Sequence, residues 1–244
     1  TAYQLSEINP SKKIVVLDKE SRAAEHQTGH NSGVIHSGIY YRPGSYKAEF
    51  AKNGSASMIE FCKDHNIEYD QCGKLIVATE EEELERMRNL YERGLENKLD
   101  VTLLDGEAVR KIEPYVNTVG GIHVKNTGIV NFREVTEKFG ELFIKNGGEI
   151  HYNNKVEKVN NTADIIEVTT NNIVYEADYL VNCAGLYSDK LAKMSGIDTD
   201  VKIIPFRGEY FKLNDDVEKY VKTLIYPVPN PELPFLGVHF TNMI

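Results

Sequence analysis

The chain has 244 residues, 41% of them apolar and 27% charged, which excludes collagen-like, low-complexity and disordered classes. Its 28 Lys plus Arg against 37 Asp plus Glu give a formal net charge of −9, so it lacks the basic face that nucleic-acid binding needs. Any anionic ligand must be held by a local cluster of positive groups working against the overall field.

In chain order, Ala2, Leu5 and Ile8 recur at helical spacing before Asn9-Pro10 closes the element. Ile14-Val15-Val16-Leu17-Asp18 is a short apolar run ending in an acid, the pattern of a buried parallel strand. A helix feeding such a strand is the second half of a βαβ unit. The chain therefore reads as an internal piece of a longer protein, opening after a first strand and its glycine loop and stopping within a strand-like run at Ile244. A polar loop to about Ser45 precedes a helix carrying Tyr46, Phe50, Gly54, Met58 and Cys62. A strand over 74–78 and a charged helix over 80–97 follow, the helix with Leu84, Met87, Tyr91 and Leu95 inward. Strands are expected over 101–104 and 121–124, with a short helix between them ending near Glu113-Pro114.

Asn131 with Glu134 three residues on resembles a capping box and opens a helix closed by Gly147-Gly148. Strands are then expected around Ile150 and over 156–159, 165–169 and 179–183, and the proline-marked region from Ile203 reads as strand-like. The alternation suggests an α/β nucleotide domain interrupted by a β-rich one. The boundaries are expected to give nucleotide-domain segments 1–65 and 131–200 and substrate-domain segments 66–130 and 201–244.

Several segments carry chemistry. Asp18 ends its strand where dinucleotide folds place an acid on the adenosine ribose, although many strands end in Asp for no such reason. Thr28-Gly29-His30-Asn31-Ser32-Gly33-Val34-Ile35-His36-Ser37-Gly38-Ile39-Tyr40-Tyr41 combines small residues with histidines and tyrosines, followed by Arg42. Such a loop can bring backbone N–H groups against a phosphate or a flat ring, or it is a glycine-rich surface turn. Val181-Asn182-Cys183-Ala184-Gly185 ends an expected buried strand in a tight turn, with Cys183 read as a small buried hydrophobe. Arg207, in Pro205-Phe206-Arg207-Gly208-Glu209-Tyr210, is a bidentate clamp for a carboxylate or a rim ion pair. His239 sits in an apolar stretch, where a core histidine competes with a base. Cys62, Cys72 and Cys183 form no CxxC pair, so neither a disulfide framework nor a zinc site is expected, and a reducing compartment fits. No apolar run reaches transmembrane length, and no basic-then-apolar leader opens the chain.

Taken together these segments resemble the L-2-hydroxyglutarate oxidase/dehydrogenase family, one of the D-amino-acid-oxidase-like flavoproteins. The resemblance runs through Val16-Leu17-Asp18-Lys19, the 29–41 loop and Gln71-Cys72-Gly73-Lys74-Leu75-Ile76-Val77-Ala78. It continues through Thr127-Gly128-Ile129-Val130, Cys183-Ala184-Gly185-Leu186-Tyr187-Ser188-Asp189 and the Arg207 motif. It ends with Ile225-Tyr226-Pro227-Val228-Pro229 and Pro234-Phe235-Leu236-Gly237-Val238-His239-Phe240-Thr241.

The resemblance implies an α/β fold: an FAD-binding Rossmann-like domain of the glutathione-reductase type, interleaved with a β-rich α+β substrate domain and truncated at both ends. It implies oxidation of L-2-hydroxyglutarate to 2-oxoglutarate, with electrons passing to oxygen, a quinone or another acceptor. By position Asp18 would take the ribose, with Lys19 near the nucleotide. His30, Asn31, Ser32, Gly33 and Val34 would line the pyrophosphate and the flavin ring. Val156 would touch the adenine side, and Ala184 and Gly185 the flavin side. His239 or His36 is the expected base, Arg207 and Arg42 the carboxylate anchors, and Tyr226 and Tyr41 hydrogen-bond donors. A cytoplasmic protein is expected, with peripheral attachment to the inner face of a membrane left open. Two alternatives stand: a sister flavoenzyme acting on glycerol 3-phosphate, an amino acid or another 2-hydroxy acid, and a truncated remnant that holds no FAD.

Overall fold

The computed structural model describes residues 1–171, 173–232 and 237–244. Asn172 and residues 233–236, which include Pro234-Phe235-Leu236 at the start of the last motif, lie outside the described residues. In chain order the elements are α1 (Ala2–Ile8), β1 (Val15–Leu17), β2 (Val34–Ile35), α2 (Tyr46–His65), β3 (Tyr69–Asp70) and β4 (Lys74–Ala78). Then come α3 (Leu84–Glu96), β5 (Val101–Asp105), α4 (Gly106–Ile112), β6 (Gly120–Val124), β7 (Gly128–Val130) and α5 (Phe132–Lys145). The remainder are β8 (Glu149–His151), β9 (Val156–Asn161), β10 (Ile166–Thr170), β11 (Val174–Ala177), α6 (Ser188–Met194), α7 (Asp215–Glu218) and β12 (Leu224–Pro227).

The chain divides into two compact units, one of Thr1–His30 with Thr136–Phe211 and one of Asn31–Val135 with Lys212–Ile244. The breaks between these units fall at 30/31, 135/136 and 211/212. The reason is pairing and burial. β2 hydrogen-bonds antiparallel to β7, and Ile39, fully buried, enters the same core as Ile76 and Leu224. Before the last break, the Ile203 N–H donates to Asp189 Oδ2 at 3.2 Å, within the first unit.

In the first unit β1 and β8 pair in parallel, Val15 opposite Glu149 and Leu17 opposite His151. β9, β10 and β11 form an antiparallel meander with Val159 and Val168 buried. The expected strand over 179–183 does not form, and Tyr179 and Val181 are exposed at 84% and 57%. A parallel strand needs a hydrogen-bonded neighbour. Among the described residues the parallel sheet of this chain has two members only. Cys183, expected to be buried, is exposed for the same reason.

The second unit is built on a four-stranded sheet in the order β12-β4-β6-β5, in which β12 runs parallel to β4 and the other pairs are antiparallel. Every residue of β4 is buried. Ile76 and Ala78 face the larger core with Leu224 and Tyr226, while Leu75, Val77 and Ile225 face a smaller one with Val109. α3 covers the larger core with Met87, Leu90 and Gly94 buried; Leu95, expected inward, is 44% exposed. Gly94 explains the difference, because a Cβ there would lie 3.2 Å from both Val101 methyls. The close approach of helix to β5 sets the buried stripe one residue before Leu95. On α2 the buried positions are Ala48, Ser55 and Cys62, while Tyr46 and Phe50 stack on each other at the surface. From Ile203 to Asn214 no strand forms, and among the described residues the only regular strand of the C-terminal region is β12.

Asn131 does open α5: its Oδ1 accepts the Arg133 N–H at 3.1 Å and its Nδ2 donates to Glu134 Oε1 at 3.0 Å. Just before β2, Gly33 has φ +70°, and its carbonyl accepts the Val130 N–H at 2.8 Å. A Cβ there would stand 2.8 Å from the Val130 carbonyl oxygen. Gly33→Ala is therefore expected to lower stability by about 1–3 kcal/mol, read as a drop in Tm, through left-handed strain plus the backbone clash. A Tm equal to the parent's would contradict this.

Candidate active site

In the second unit the strand pairing gathers a cluster of aromatic and titratable side chains. Tyr226 is 3% exposed on β12. The His239 ring lies 4.4 Å from its ring centroid, and the His36 ring meets it edge-on at 6.5 Å. His239 is brought there by the antiparallel bridge between Ile225 and Phe240. Its Nδ1 pairs with the Gly237 carbonyl at 3.0 Å; since a carbonyl only accepts, Nδ1 is the nitrogen that carries a proton there.

Lys74, which sequence reasoning passed over, stands at the centre. It is 1% exposed, and its ammonium lies 4.7 Å from the Tyr40 ring centroid and 4.9 Å from that of Tyr226. Register explains the second contact: Lys74 is opposite Leu224 across the parallel pair, so Tyr226, two residues further on, shares its face. Burial draws the ammonium down to about 7. The Tyr40 hydroxyl is buried without a hydrogen-bond partner among the described residues, and burial, then the neighbouring Tyr226, raises its pKa. His36 is an exposed residue over its whole surface, yet the atoms packed about its imidazole govern its titration. Burial first, then the charges of Lys74 and His239, hold it down to about 4.

Of the residues expected from sequence, the structure brings His36, Tyr226 and His239 together. Tyr41 and Arg42 take other neighbours. The Tyr41 carbonyl accepts from Asn97 Nδ2 at 3.0 Å, and Arg42 lines a shallow cleft of about 510 Å³ with Tyr40 and the α3 residues Asn89, Glu92, Arg93 and Glu96. Gly33 and Val34 are buried beside β7, and Asn31 Oδ1 accepts the Gly33 N–H at 2.7 Å, with Ser32 half-buried next to it.

The nucleotide candidates of the first unit form a separate group. The Asp18 N–H donates to the His151 carbonyl, and its Oδ1 accepts the Glu20 N–H at 2.9 Å. Lys19 pairs with Glu20, reaches His26 Nε2 at 2.8 Å and lies 5.3 Å from the Tyr187 ring centroid. His30 Nδ1 bonds the His26 carbonyl at 2.9 Å. Val156 opens β9. The Ala184 N–H donates to Asn182 Oδ1, and Gly185 takes φ +55° in a turn where the nearest atom to a built Cβ is 3.9 Å away. Arg207 is exposed in a stretch without regular structure.

Glu113 also escaped sequence reasoning. It is fully buried, and its Oε1 accepts from the Lys222 N–H at 2.8 Å, the Thr223 N–H at 2.5 Å and the Thr223 hydroxyl at 2.9 Å. It thereby holds the entry to β12, three residues before Tyr226. The visible signal was an acid beside a proline at a helix end, which ordinarily means a surface turn. For Lys74 the signal was a cation joined to an otherwise apolar strand.

Comparison with known proteins places these features. The family model described as FAD-dependent oxidoreductase (DAO) matches residues 1–244. An L-2-hydroxyglutarate dehydrogenase of Escherichia coli O17:K52:H18 (strain UMN026 / ExPEC) is 47% identical over 245 residues, covering 100% of this chain and 58% of that protein. The mitochondrial L-2-hydroxyglutarate dehydrogenase of Homo sapiens is 44% identical over 246 residues, covering 96% of this chain and 53% of that protein. The chain thus spans a little over half the length of the curated relatives it matches. Among solved structures, the FAD-bound L-alpha-glycerophosphate oxidase of Mycoplasma pneumoniae has a TM-score of 0.78 at 24% identity, over 93% of this chain and 61% of its own. L-proline dehydrogenase from P. horikoshii has the same TM-score at 14% identity, over 93% of this chain and 60% of its own. These two show the fold. The match along the whole chain settles the family: this chain belongs to the DAO family of FAD-dependent oxidoreductases.

Proposed function

We propose that the intact gene product containing this chain oxidises L-2-hydroxyglutarate to 2-oxoglutarate with FAD, passing electrons to oxygen, a quinone or another acceptor. The observation that carries this reading is the meeting of His36 and His239 about buried Tyr226, in a chain 47% identical to a protein named for that substrate.

FAD, when bound, supplies the two-electron acceptor that oxidation of a hydroxyl carbon requires. The residues present fit it. Ser37 Oγ, in the loop assigned to the flavin, is fully buried and lacks a hydrogen-bond partner among the described residues. Gly185 presents a backbone with no side chain in the way. Asp18 would bind the ribose with Lys19 beside the nucleotide. His30 to Val34 would line the pyrophosphate and ring, Val156 the adenine side, and Ala184 and Gly185 the flavin side.

His36 takes the proton of the substrate hydroxyl at an imidazole nitrogen. Burial first, then the charges of Lys74 and His239, keep it neutral at pH 7, and an arriving dianion strengthens it as a base by offsetting the charges, the smaller of the two causes. His239, its Nδ1 fixed on Gly237, packs against Tyr226 and keeps that ring in place. Arg207, exposed in the first unit, is kept as a carboxylate anchor on the resemblance alone. Arg207→Lys is expected to raise KM about tenfold or more through loss of the bidentate fork, and an unchanged KM would remove Arg207 from the site. Three free cysteines support a reducing, cytoplasmic location. No helix among the described residues is long and apolar enough to cross a membrane, and a peripheral attachment to the inner membrane face is part of the proposal.

An anaerobic visible spectrum of the intact protein tests the reading. Addition of L-2-hydroxyglutarate is expected to bleach the oxidised-flavin bands, and the D enantiomer to leave them unchanged. A yellow protein that stays yellow with both would overturn the substrate assignment.

A further inference from the structure

We propose that Lys74 is the cation that receives the substrate carboxylate adjoining the reacting carbon, presented to it between the rings of Tyr40 and Tyr226. The assignment rests on the hydroxy-acid reading above and adds to it an anchor that neither arginine candidate supplies within this cluster.

Three observations carry it. Lysine is among the residues least often fully buried without an ionic partner. Here the ammonium is buried in the second unit, and its described partners are two aromatic faces, at 4.7 and 4.9 Å, with no carboxylate pairing it among the described residues. Cation–π contacts of this kind offset only part of the cost of removing an ammonium from water. A cation so placed is short of an anion. Second, Tyr40 beside it has a buried hydroxyl without a partner, a donor available to a carboxylate oxygen. Third, the ring of Tyr226 that contacts Lys74 is the one that contacts both histidines. The hydroxyl proton and the adjoining carboxylate of a 2-hydroxy acid are separated by one carbon, so base and anchor must lie in a single cluster of this size.

The same features separate binding from stability. A lysine kept for folding would lose stability when removed, whereas a buried charge kept for a ligand costs stability in the free protein. In the intact, FAD-loaded protein, Lys74→Met, which keeps the stem and removes the charge, is expected to weaken binding of glutarate at least tenfold. Glutarate lacks the hydroxyl and cannot be oxidised, and its binding is read from the shift it causes in the flavin bands. The Tm of the free variant is expected to equal or exceed the parent's. Lys74→Arg, which restores a cation, is expected to recover part of the affinity and serves as the decisive variant if the methionine protein folds poorly. Parental glutarate affinity in Lys74→Met, or an arginine variant as weak as the methionine one, would overturn the assignment of Lys74 alone. A parent protein that binds neither glutarate nor L-2-hydroxyglutarate would overturn the hydroxy-acid reading and this inference with it.

Discussion

Replacing His36 by asparagine is expected to lower kcat of the intact protein by about 10²–10⁴-fold, the range for loss of a positioned general base, with flavin content near the parent's. His239→Asn is expected to cost less. The His239 ring is committed through Nδ1 to the Gly237 carbonyl, and asparagine can still satisfy that acceptor through its amide. The pH dependence follows from the direction of the His36 shift. Its pKa is held to about 4, by burial first and then by the charges of Lys74 and His239. A base with a depressed pKa stays deprotonated as the pH falls, so the acid limb of kcat/KM belongs near pH 4, well below the usual imidazole value of about 6.5. The charged and titratable groups about it are Lys74, His239 and Tyr226. Between about pH 6.5 and 4 the unfolded histidine binds a proton that the folded one refuses, so this group also makes stability fall as the solution is acidified through that window. Stopped-flow reduction over pH 4–8 checks both statements. Full activity in His36→Asn, with loss in His239→Asn, would exchange the two roles.

Local signals made much of this fold legible. The apolar run before Asp18, the capping pair Asn131 and Glu134 and the all-apolar stretch after Lys74 each have a short-range cause, and each forms its element within a residue or two. What escaped depends on partners distant in the chain. Two-residue β2 has no periodicity of its own, yet its pairing with β7 sets the boundary of the second unit at residue 31. The 179–183 segment has the composition of a buried strand but finds no ladder to join among the described residues, and side chains expected inside are exposed.

The site was legible to the same degree and for the same reason. His36 and Tyr226 lie in motifs of unusual composition, and His239 adjoins another, so the resemblance could point to them. Lys74 looks like the polar end of a strand until β12, some 150 residues later by the numbering, lies down beside it in parallel register. Its burial is a property of that pairing and of the loop carrying Tyr40, neither of which is encoded near residue 74. Arg42 illustrates the converse. An arginine next to aromatic residues reads as an anchor from its neighbours in sequence, while the cleft it lines with Tyr40 is completed by α3, far along the chain.

Glu113→Ala is expected to be the most destabilising substitution in the second unit, at about 3–5 kcal/mol, because a fully buried carboxyl cannot be removed without stranding its donors. Three of them, the Lys222 and Thr223 N–H groups and the Thr223 hydroxyl, converge on one oxygen. Two are backbone groups with no rotamer by which to find another acceptor. Glu113→Gln keeps an acceptor oxygen in the same place and is expected to cost less, about 1–2 kcal/mol, as a neutral acceptor replaces a carboxyl one. The other oxygen of Glu113 has no partner among the described residues, so the glutamine NH₂ would inherit a position that is already unsatisfied. Chemical denaturation of the intact protein, parent and both variants side by side, measures the ordering; an alanine variant within about 1 kcal/mol of the glutamine one would refute it. The same anchor governs the site. Thr223 leads directly into β12, and Tyr226, whose ring is shared by Lys74, His36 and His239, sits three residues on. A strand entry freed by Glu113→Ala therefore loosens the ring around which the candidate base and cation are arranged. In whatever fraction of that variant still folds, catalysis should fall, while the glutamine variant keeps most of both stability and turnover.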